Sequence, residues 1–259
     1  MTVREFYREL SARIPESLSC QWDNDGLMLC SDGEREVRRV LITLDATSEA
    51  VEAAIEGGYD CIVSHHPFIF KGLKAIDEEN GGVDAKAVAL IKSGISVMSF
   101  HTRLDAVEGG VNDTLCALLG VTDTQPIYEE GIPLGRIGRL ERPLMATELA
   151  RTIKQRLRAP FVLLSGKDGV PIERVAVLGG SGKDMIESAR EAGAQAFISG
   201  RLDYHPLTDE GDKVHGMALI EAGHYFTEQP VCMALCHMIR DIDGGIACNV
   251  FESNGIKAI

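Results

Sequence analysis

Apolar residues along the chain follow two alternating patterns, one typical of helices and one typical of buried strands. Phe6, Tyr7, Leu10 and Ile14 recur at helical spacing, and Pro15 ends the helix that they predict. Short β-branched runs then alternate with further helical segments, several of which end in glycine. Strands that alternate with helices predict an α/β fold with a largely parallel sheet.

The order of elements in the first half of the chain recurs in the second half. The strand pattern of residues 37–43 resembles that of residues 172–178, and Cys61-Ile62-Val63-Ser64 resembles Ala196-Phe197-Ile198-Ser199. The join lies near residues 122–135, where the turn residues do not have the composition of a linker. We therefore expect two α/β repeats packed on each other, the first over residues 1–126 and the second over residues 127–259.

Two adjacent histidines at the end of a predicted strand carry the first chemical signal. The run Cys61-Ile62-Val63-Ser64 leads directly into His65-His66-Pro67. Adjacent side chains within a strand point to opposite faces, whereas the chain is free to turn just past the strand end. Paired imidazoles there suit two neighbouring metal ions. A buried histidine bonded to backbone beside an exposed histidine would give the same pattern.

Each half also ends a strand in a histidine that is followed four positions later by an acid. Overlaying the closing strands pairs His101 and Asp105 with His224 and Glu228. Parallel strands bring their carboxyl ends to one edge of a sheet, so the three strand ends should converge on three or four imidazoles and two carboxylates. This donor set suits zinc, iron or manganese, and it is large enough for two ions that share Glu228. Taken singly, the acids also fit as charges in the first turn of a helix.

Two further positions leave alternatives open. Residues 178–184 form a glycine-rich turn between a strand and a helix, which either cradles an anion or is a plain tight turn. The turn departs from the phosphate-loop pattern at Val177 and Asp184. Asp45 follows a strand and either orients a metal ligand or caps a helix, and capping is the favoured interpretation.

Composition and charge restrict the class of protein. The chain has 259 residues, of which 45% are hydrophobic and 25% charged, as in a globular protein with a sizeable core. The net charge of −13 argues against nucleic acid or anionic membrane as the main partner, although a local basic surface stays possible. Seven scattered cysteines without a CxxC motif indicate a reducing compartment. With no apolar signal core and no run of membrane-spanning length, we expect a cytoplasmic protein.

Several motifs together resemble the Nif-three-like family, whose bacterial members are also known as type 2 GTP cyclohydrolase I homologues. The motifs run through most of the chain: Trp22-Asp23-Asn24-x-Gly26-Leu27, Ser64-His65-His66-Pro67, His101-Thr102-x-x-Asp105, Gly109-Gly110-x-Asn112, Gly179-Gly180-Ser181-Gly182 and Gly223-His224-x-x-x-Glu228. The resemblance implies two intertwined, duplicated α/β repeats with mixed, largely parallel sheets. It also implies a toroidal homohexamer with a dinuclear metal centre in each subunit.

The resemblance further assigns residues to that centre. It implies that two divalent ions, of iron, zinc or manganese, are held by five ligands, namely His65, His66, Asp105, His224 and Glu228. His101 falls on a family position beside the metals, where a catalytic proton shuttle or an outer ligand is expected. The chain departs from the family pattern at Asp25, where a small apolar residue is usual, and at Arg201, where an acid is common.

Two functions of different classes fit this resemblance. The first is a metal-dependent hydrolase that acts on a nucleotide-like, phosphoester or C–N substrate, with His101 or a carboxylate as general acid or base. The second is a non-enzymatic, metal-stabilised hexameric ring that binds a protein or nucleic-acid partner. Turnover that requires the metal would distinguish the first from the second.

Overall fold

The chain forms two structural units that do not coincide with the two halves of the sequence. The computed structural model describes residues 1–166, 169–213 and 216–256. One unit contains Met1–Leu104 and a C-terminal segment that begins at Cys232, and the other contains Asp105–Val231. The repeat boundary expected near residue 126 concerns the duplication of the sequence and stays a prediction.

The first unit is built on a sheet whose strands are mostly parallel. Its strands are β1 (Gly26–Leu29), β2 (Arg39–Thr43), β3 (Cys61–Ser64), β4 (Ser96–Ser99) and β11 (Ala247–Val250). Their spatial order is β1-β4-β3-β2-β11, and only the β1–β4 pair among these described strands is antiparallel. The helices of this unit are α1 (Val3–Arg13), α2 (Ser48–Glu56), α3 (Gly82–Lys92) and α10 (Val231–Ile242).

The core of the first unit explains why its central strands are continuous apolar runs. Leu41, Ile62 and Val97 come from three adjacent strands and pack against Val51 of α2 and Leu90 of α3. Every residue of β3 and of β4 is buried. A parallel strand covered on both faces needs apolar or small side chains at every position, and the sequence has them.

The second unit combines a parallel centre with antiparallel edges. Its strands are β5 (Val121–Glu129), β6 (Ile132–Leu144), β7 (Leu163–Ser165), β8 (Ile172–Ser181), β9 (Ala196–Arg201) and β10 (Ala218–Glu221), in the spatial order β5-β6-β8-β9-β10-β7. Strands β8, β9 and β10 are parallel to one another. The helices are α5 (Val111–Leu119), α6 (Ala146–Arg156), α7 (Ile186–Glu191), α8 (Tyr204–Asp212) and α9 (His224–Glu228), and α4 (Thr102–Ala106) lies at the unit boundary.

The predicted α/β class with mixed sheets is confirmed. The join expected near residues 122–135 is the hairpin of β5 and β6. Pro126 lies on the edge strand β5, and Pro133 precedes the part of β6 that pairs with β8, so neither proline removes a needed amide. Helices α9 and α10 are separate elements, and Pro230 lies between them. Among the described helices, none has both the length and the apolar character that crossing a bilayer demands.

Corresponding strands of the two units begin with the same hydrogen-bond device. In the first unit, Oδ2 of Asp60 accepts two successive amides at the start of β2, at 2.8 and 2.9 Å. In the second unit, Oε1 of Gln195 accepts two successive amides at the start of β8, at 2.8 and 3.0 Å. Asp60 is buried and also pairs with Arg35, whereas Gln195 is exposed. The two amides at the start of the strand are thus accepted by a carboxylate in the first unit and by a side-chain amide in the second.

Replacing the buried member of this pair should cost more stability than replacing the exposed one. Asp60→Ala leaves two amide donors without their acceptor and should lower the free energy of unfolding by about 1–3 kcal/mol. Gln195→Ala should cost less than about 1 kcal/mol, because water replaces the lost acceptor at an exposed site. Urea denaturation measures both values. Asp60→Asn is the control, since it keeps an acceptor oxygen; equal stability of Asp60→Ala and the wild type would contradict the prediction.

Candidate metal site

The first unit brings three histidine side chains into one cluster. Strands β3 and β4 are parallel neighbours whose last residues, Ser64 and Ser99, lie side by side, so the loops after them leave one edge of the sheet. His65 and His66 follow β3, and His101 follows β4. The ring centroids are 4.9, 5.3 and 5.7 Å apart, and one nitrogen of each ring lies within 4.8 Å of the others. The structure therefore places together the three imidazoles that the strand ends of the first unit predicted.

The hydrogen bonds of the adjacent histidines select the tautomer that metal ligands need. His65 Nδ1 lies 3.0 Å from the carbonyl oxygen of Phe100, and His66 Nδ1 lies 2.8 Å from Oδ1 of Asp45. A carbonyl and a carboxylate only accept hydrogen bonds, so Nδ1 of each neutral ring donates and Nε2 carries the lone pair. Metal-binding histidines are typically oriented by an acceptor on the opposite ring nitrogen in this way.

Asp45 therefore orients a candidate ligand, and the capping interpretation is wrong. The side chain that caps α2 is Thr47, whose Oγ1 accepts the amide of Ala50 at 3.2 Å. The turn between β2 and α2 places Asp45 two residues earlier, where its carboxylate reaches His66. Both residue types are common before a helix, so the sequence alone does not separate the two roles.

His101 is held by a second carboxylate, from the segment that precedes β1. Oδ1 of Asp23 lies 2.8 Å from His101 Nδ1, and its Oδ2 accepts the amide and the hydroxyl of Thr102 at 3.0 and 2.6 Å. Burial raises the pKa of the Asp23 carboxyl, but the hydrogen bonds from His101 and Thr102 and the charge of His101 outweigh it, and the net pKa lies well below its ordinary value. The carboxylate thus stays ionised and accepts from Nδ1 of His101, so that in the neutral ring the lone pair is on Nε2.

The second unit contains a separate set of oxygen and nitrogen atoms that could bind a metal ion. His224 and Glu228 are four residues apart on α9, and His224 Nε2 lies 2.9 Å from Oε2 of Glu228. A carboxylate oxygen of Asp105 lies within 4.8 Å of a carboxylate oxygen of Glu228, and both residues are buried. Two buried carboxylates at this distance repel each other, and a bound divalent cation would remove that repulsion. The chemistry of this donor set fits a metal ion.

The glycine-rich turn makes room for Glu228 and is not a phosphate cradle. A Cβ atom on Gly180, whose φ is +66°, would collide with Oε1 of Glu228. The amide of Gly179 donates to Asn112 Oδ1 at 2.8 Å, and the amide of Gly180 donates to Thr227 Oγ1 at 3.1 Å. Because these amides already have acceptors within the unit, the tight-turn interpretation fits and the anion-binding interpretation does not.

The strand registers correct the predicted overlay of the two His-x-x-x-acid motifs. The amide of Phe100 donates to the carbonyl oxygen of Ser64, at the end of β3, at 2.9 Å. The amide of Ala222 donates to the carbonyl oxygen of Ser199, the equivalent residue of β9, at 2.8 Å. By this register, His224 corresponds to Thr102, one position after His101. Helices α4 and α9 begin at these two equivalent positions. The overlay is therefore wrong by one residue, and the candidate ligands of the two halves lie at different positions of corresponding segments.

Two residues with evident roles were missed by reasoning from the sequence. Asp23 orients His101, and the sequence signal that points to it is the acidic turn before β1. Asn112 is fully buried and joins three segments, because its Nδ2 donates to the carbonyl oxygens of Asp105 and Leu134 while its Oδ1 accepts from the glycine-rich turn. Asn112 stands in the Gly109-Gly110-x-Asn112 motif, but that motif does not indicate which segments its side chain joins.

The two departures from the family pattern have different surroundings. Asp25 accepts the amide of His101 at 3.0 Å and pairs with the buried Arg103 at 3.1 Å, so its charge is compensated within the fold. Arg201 closes β9 with an exposed side chain, and its Nε donates to Oδ1 of Asp203 at 2.8 Å. Asp25 is thus part of the support of His101, whereas Arg201 lies on the surface of its unit.

Comparisons with known proteins agree on one family. A family model described as Duf34/NIF3 (NGG1p interacting factor 3) matches residues 1–257. A protein of Clostridium perfringens named GTP cyclohydrolase 1 type 2 homolog is 32% identical over 93% of this chain and 92% of its own length. A protein of the same name from Nostoc sp. is 36% identical over 80% of each chain. The crystal structure of a hypothetical protein of Staphylococcus aureus has a TM-score of 0.87 at 27% identity and covers 100% of this chain and 99% of that one.

Replacing Asp23 should make the stability of the fold less dependent on pH. Its folded-state pKa is depressed below the unfolded value of about 3.9, so its contribution is complete above that value and is lost as the pH falls toward the folded pKa. In chelator-treated protein, Asp23→Asn should be less stable than wild type at about pH 5, and the difference should narrow below about pH 4, where the contribution of the ionised Asp23 is lost. Urea denaturation over this range measures the difference. Asp32→Asn, at an exposed carboxylate, is the control; a stability difference between Asp23→Asn and wild type that widens below about pH 4 would contradict the prediction.

Proposed function

The chain belongs to the Duf34/NIF3 family, and from that membership we propose that it binds two divalent metal ions. The proposed ligands are the Nε2 atoms of the two adjacent histidines and the side chains of the second unit: His65, His66, Asp105, His224 and Glu228. The observation that carries the proposal is that both adjacent histidines are held at Nδ1 by acceptors, so that each presents an Nε2 lone pair. A set of imidazole and carboxylate donors favours zinc, iron or manganese.

We propose that this centre makes the protein a hydrolase. Bound divalent ions supply Lewis acidity and lower the pKa of water toward neutrality. His101 supplies proton transfer: its Nδ1 donates to Asp23, so its Nε2 accepts a proton from the attacking nucleophile or returns one to the leaving group. The ionised Asp23 holds the ring in place and stabilises the imidazolium that forms. The relatives' name supports a nucleotide-like substrate, and a phosphoester or another C–N bond fits the same chemistry.

The assembly and the location of the protein also belong to this proposal. We propose a toroidal homohexamer in the cytoplasm, which the family resemblance and the scattered cysteines support. The net charge of −13 supports a small-molecule substrate over nucleic acid as the ligand. The second candidate is a metal-stabilised ring that binds a partner without turnover, and the words "interacting factor" in the family description favour it.

Elemental analysis should find about two transition-metal ions per chain in protein purified without chelators. Glu228→Gln keeps the size of the side chain and removes its charge, so the metal content should fall to one ion or none. The measurement is metal content per chain by mass spectrometry, with circular dichroism to show that the variant is folded.

The matched control for the metal measurement is His237→Gln. His237 lies exposed on α10 and is not among the proposed ligands, so this variant should keep both ions. Equal metal content in Glu228→Gln and the wild type would exclude Glu228 as a ligand. Failure of the wild type to take up any metal on titration would contradict the whole proposal.

Replacing His101 should separate catalysis from metal binding. His101→Gln removes the proton-transfer group, so turnover of a screened nucleotide or phosphoester should fall by about 10²–10⁴-fold with the metal content unchanged. Asp23→Asn should reduce turnover as well, because it removes the charge that stabilises the imidazolium. Steady-state kinetics of metal-loaded protein measures both, with His237→Gln as the control. Metal-loaded protein that forms a ring but turns over none of the screened substrates would favour the partner-binding candidate.

A further inference from the structure

Two exposed aromatic rings lie next to the histidine cluster of the first unit. Trp22 is 60% exposed and Phe70 is 49% exposed. Their centroids are 6.5 Å apart, and they lie 6.1 and 6.4 Å from the ring of His101. The planes of the three rings meet at 70°, 77° and 89°. The rings therefore form a corner, in which a flat group stacked on one ring meets the others at its edge.

Hydrogen bonds made by the residues next to Trp22 and Phe70 hold these rings in their exposed positions. Beside Trp22, the carboxylate of Asp23 is held by the amide and hydroxyl of Thr102. The next residue, Asn24, donates from Nδ2 to the carbonyl oxygen of Ile69 at 2.5 Å, directly before Phe70. The loop that carries Trp22 and the loop that carries Phe70 are thus tied to each other and to the start of α4.

The composition of the corner differs from that of the remaining surface of the first unit. Elsewhere in the described part of this unit, the large apolar side chains that are exposed are aliphatic or methionine: Ile55, Leu73, Ile76, Ile91, Met233 and Ile256. Scattered aliphatic side chains at a surface are ordinary, whereas adjacent exposed aromatic rings that are held in place indicate a binding surface. Their faces favour a cation or another π-system. A cationic ligand is disfavoured beside a cluster proposed to hold divalent cations, so a neutral aromatic ring remains.

We propose that Trp22 and Phe70 bind a planar aromatic ring of the substrate, such as a nucleobase, and present its edge to His101. This inference rests on the proposed function, because it assigns the substrate class of the same site. Trp22 is the stacking platform, since it has the larger π-face and the greater exposure. Phe70 is the side wall that fixes the direction of the stacked ring. A substrate without an aromatic ring would not use this corner.

The chain contains a single tryptophan, so its fluorescence reports on this corner directly. Titration of metal-loaded protein with inosine should change the emission of Trp22 saturably, and titration with ribose should not. Phe70→Leu keeps an apolar side chain but removes the π-face, and it should weaken inosine binding by about 5- to 150-fold, the loss expected for one base–aromatic contact. Phe70→Tyr should bind like wild type. Ile91→Ala is the control for loss of an exposed apolar side chain, and it should also bind like wild type.

Variants of Trp22 are followed by ligand-observed NMR, since they lack the fluorescent reporter. Trp22→Leu should lose most of the inosine signal, and Trp22→Phe should keep part of it. Equal binding of inosine and ribose, or unchanged inosine binding in both leucine variants, would overturn the proposal. A fall in oligomeric state in Trp22→Leu, measured by light scattering, with no inosine binding by wild type, would overturn it in favour of a contact between copies.

The metal measurement distinguishes this inference from the function on which it rests. If the protein binds two ions but inosine does not change the emission of Trp22, the proposed aromatic corner is contradicted and the proposed metal centre is supported. Inosine binding that persists in protein without metal uptake would support the corner and contradict the proposed hydrolase. Binding together with metal uptake supports both.

Discussion

The site in the first unit depends on hydrogen bonds made at the far side of each imidazole from the candidate metal position. A carbonyl oxygen holds His65, and the carboxylates of Asp45 and Asp23 hold His66 and His101. Because these oxygens only accept, they place a proton on every Nδ1 and a lone pair on every Nε2. Without this constraint, three neighbouring rings would sample several tautomers, and their lone pairs would have no common direction. The acceptors come from the turns after β2, before β1 and after β4, so the sheet must be assembled before the cluster has one defined chemistry.

The second unit holds two carboxylates that are buried close together. Asp105 and Glu228 are both shielded from water, and α9 brings His224 to Glu228. Backbone that packs tightly around Glu228 limits its rotamers, and Thr227 ties that helix to the glycine-rich turn. Two charged carboxylates held this close together destabilise the fold in the absence of a cation. Holding them in place requires a fixed glycine-rich turn, and the buried Asn112 fixes that turn by accepting the amide of Gly179.

The sequence predicts the elements of this fold better than it predicts their tertiary contacts. The run before His65 is apolar or small at every position, so its burial as a central parallel strand follows from composition alone. The role of Asp45 does not follow, because it depends on a ring 21 residues away whose position is set by the sheet. The overlay of the two motifs is wrong by one residue. It matches His101 with His224 because the residue types are the same, whereas the hydrogen-bond register matches Phe100 with Ala222. The hairpin of β5 and β6 does not follow from the sequence, because its prolines suit an edge strand as well as they suit a turn.

The close approach of Gly180 to Glu228 has a consequence for how this family can diverge. Because Gly180 has no side chain, the carboxylate of Glu228 occupies the space next to it. Neither position can therefore change without affecting the other. A lineage that abandons Glu228 no longer needs the space, and ordinary mutation would then fill the turn with larger residues. A lineage that keeps the acid must keep the glycine. Across related chains, the pair should therefore be inherited or lost together, and the residue at position 180 should tell members with an intact acidic ligand from members that have put the scaffold to another use.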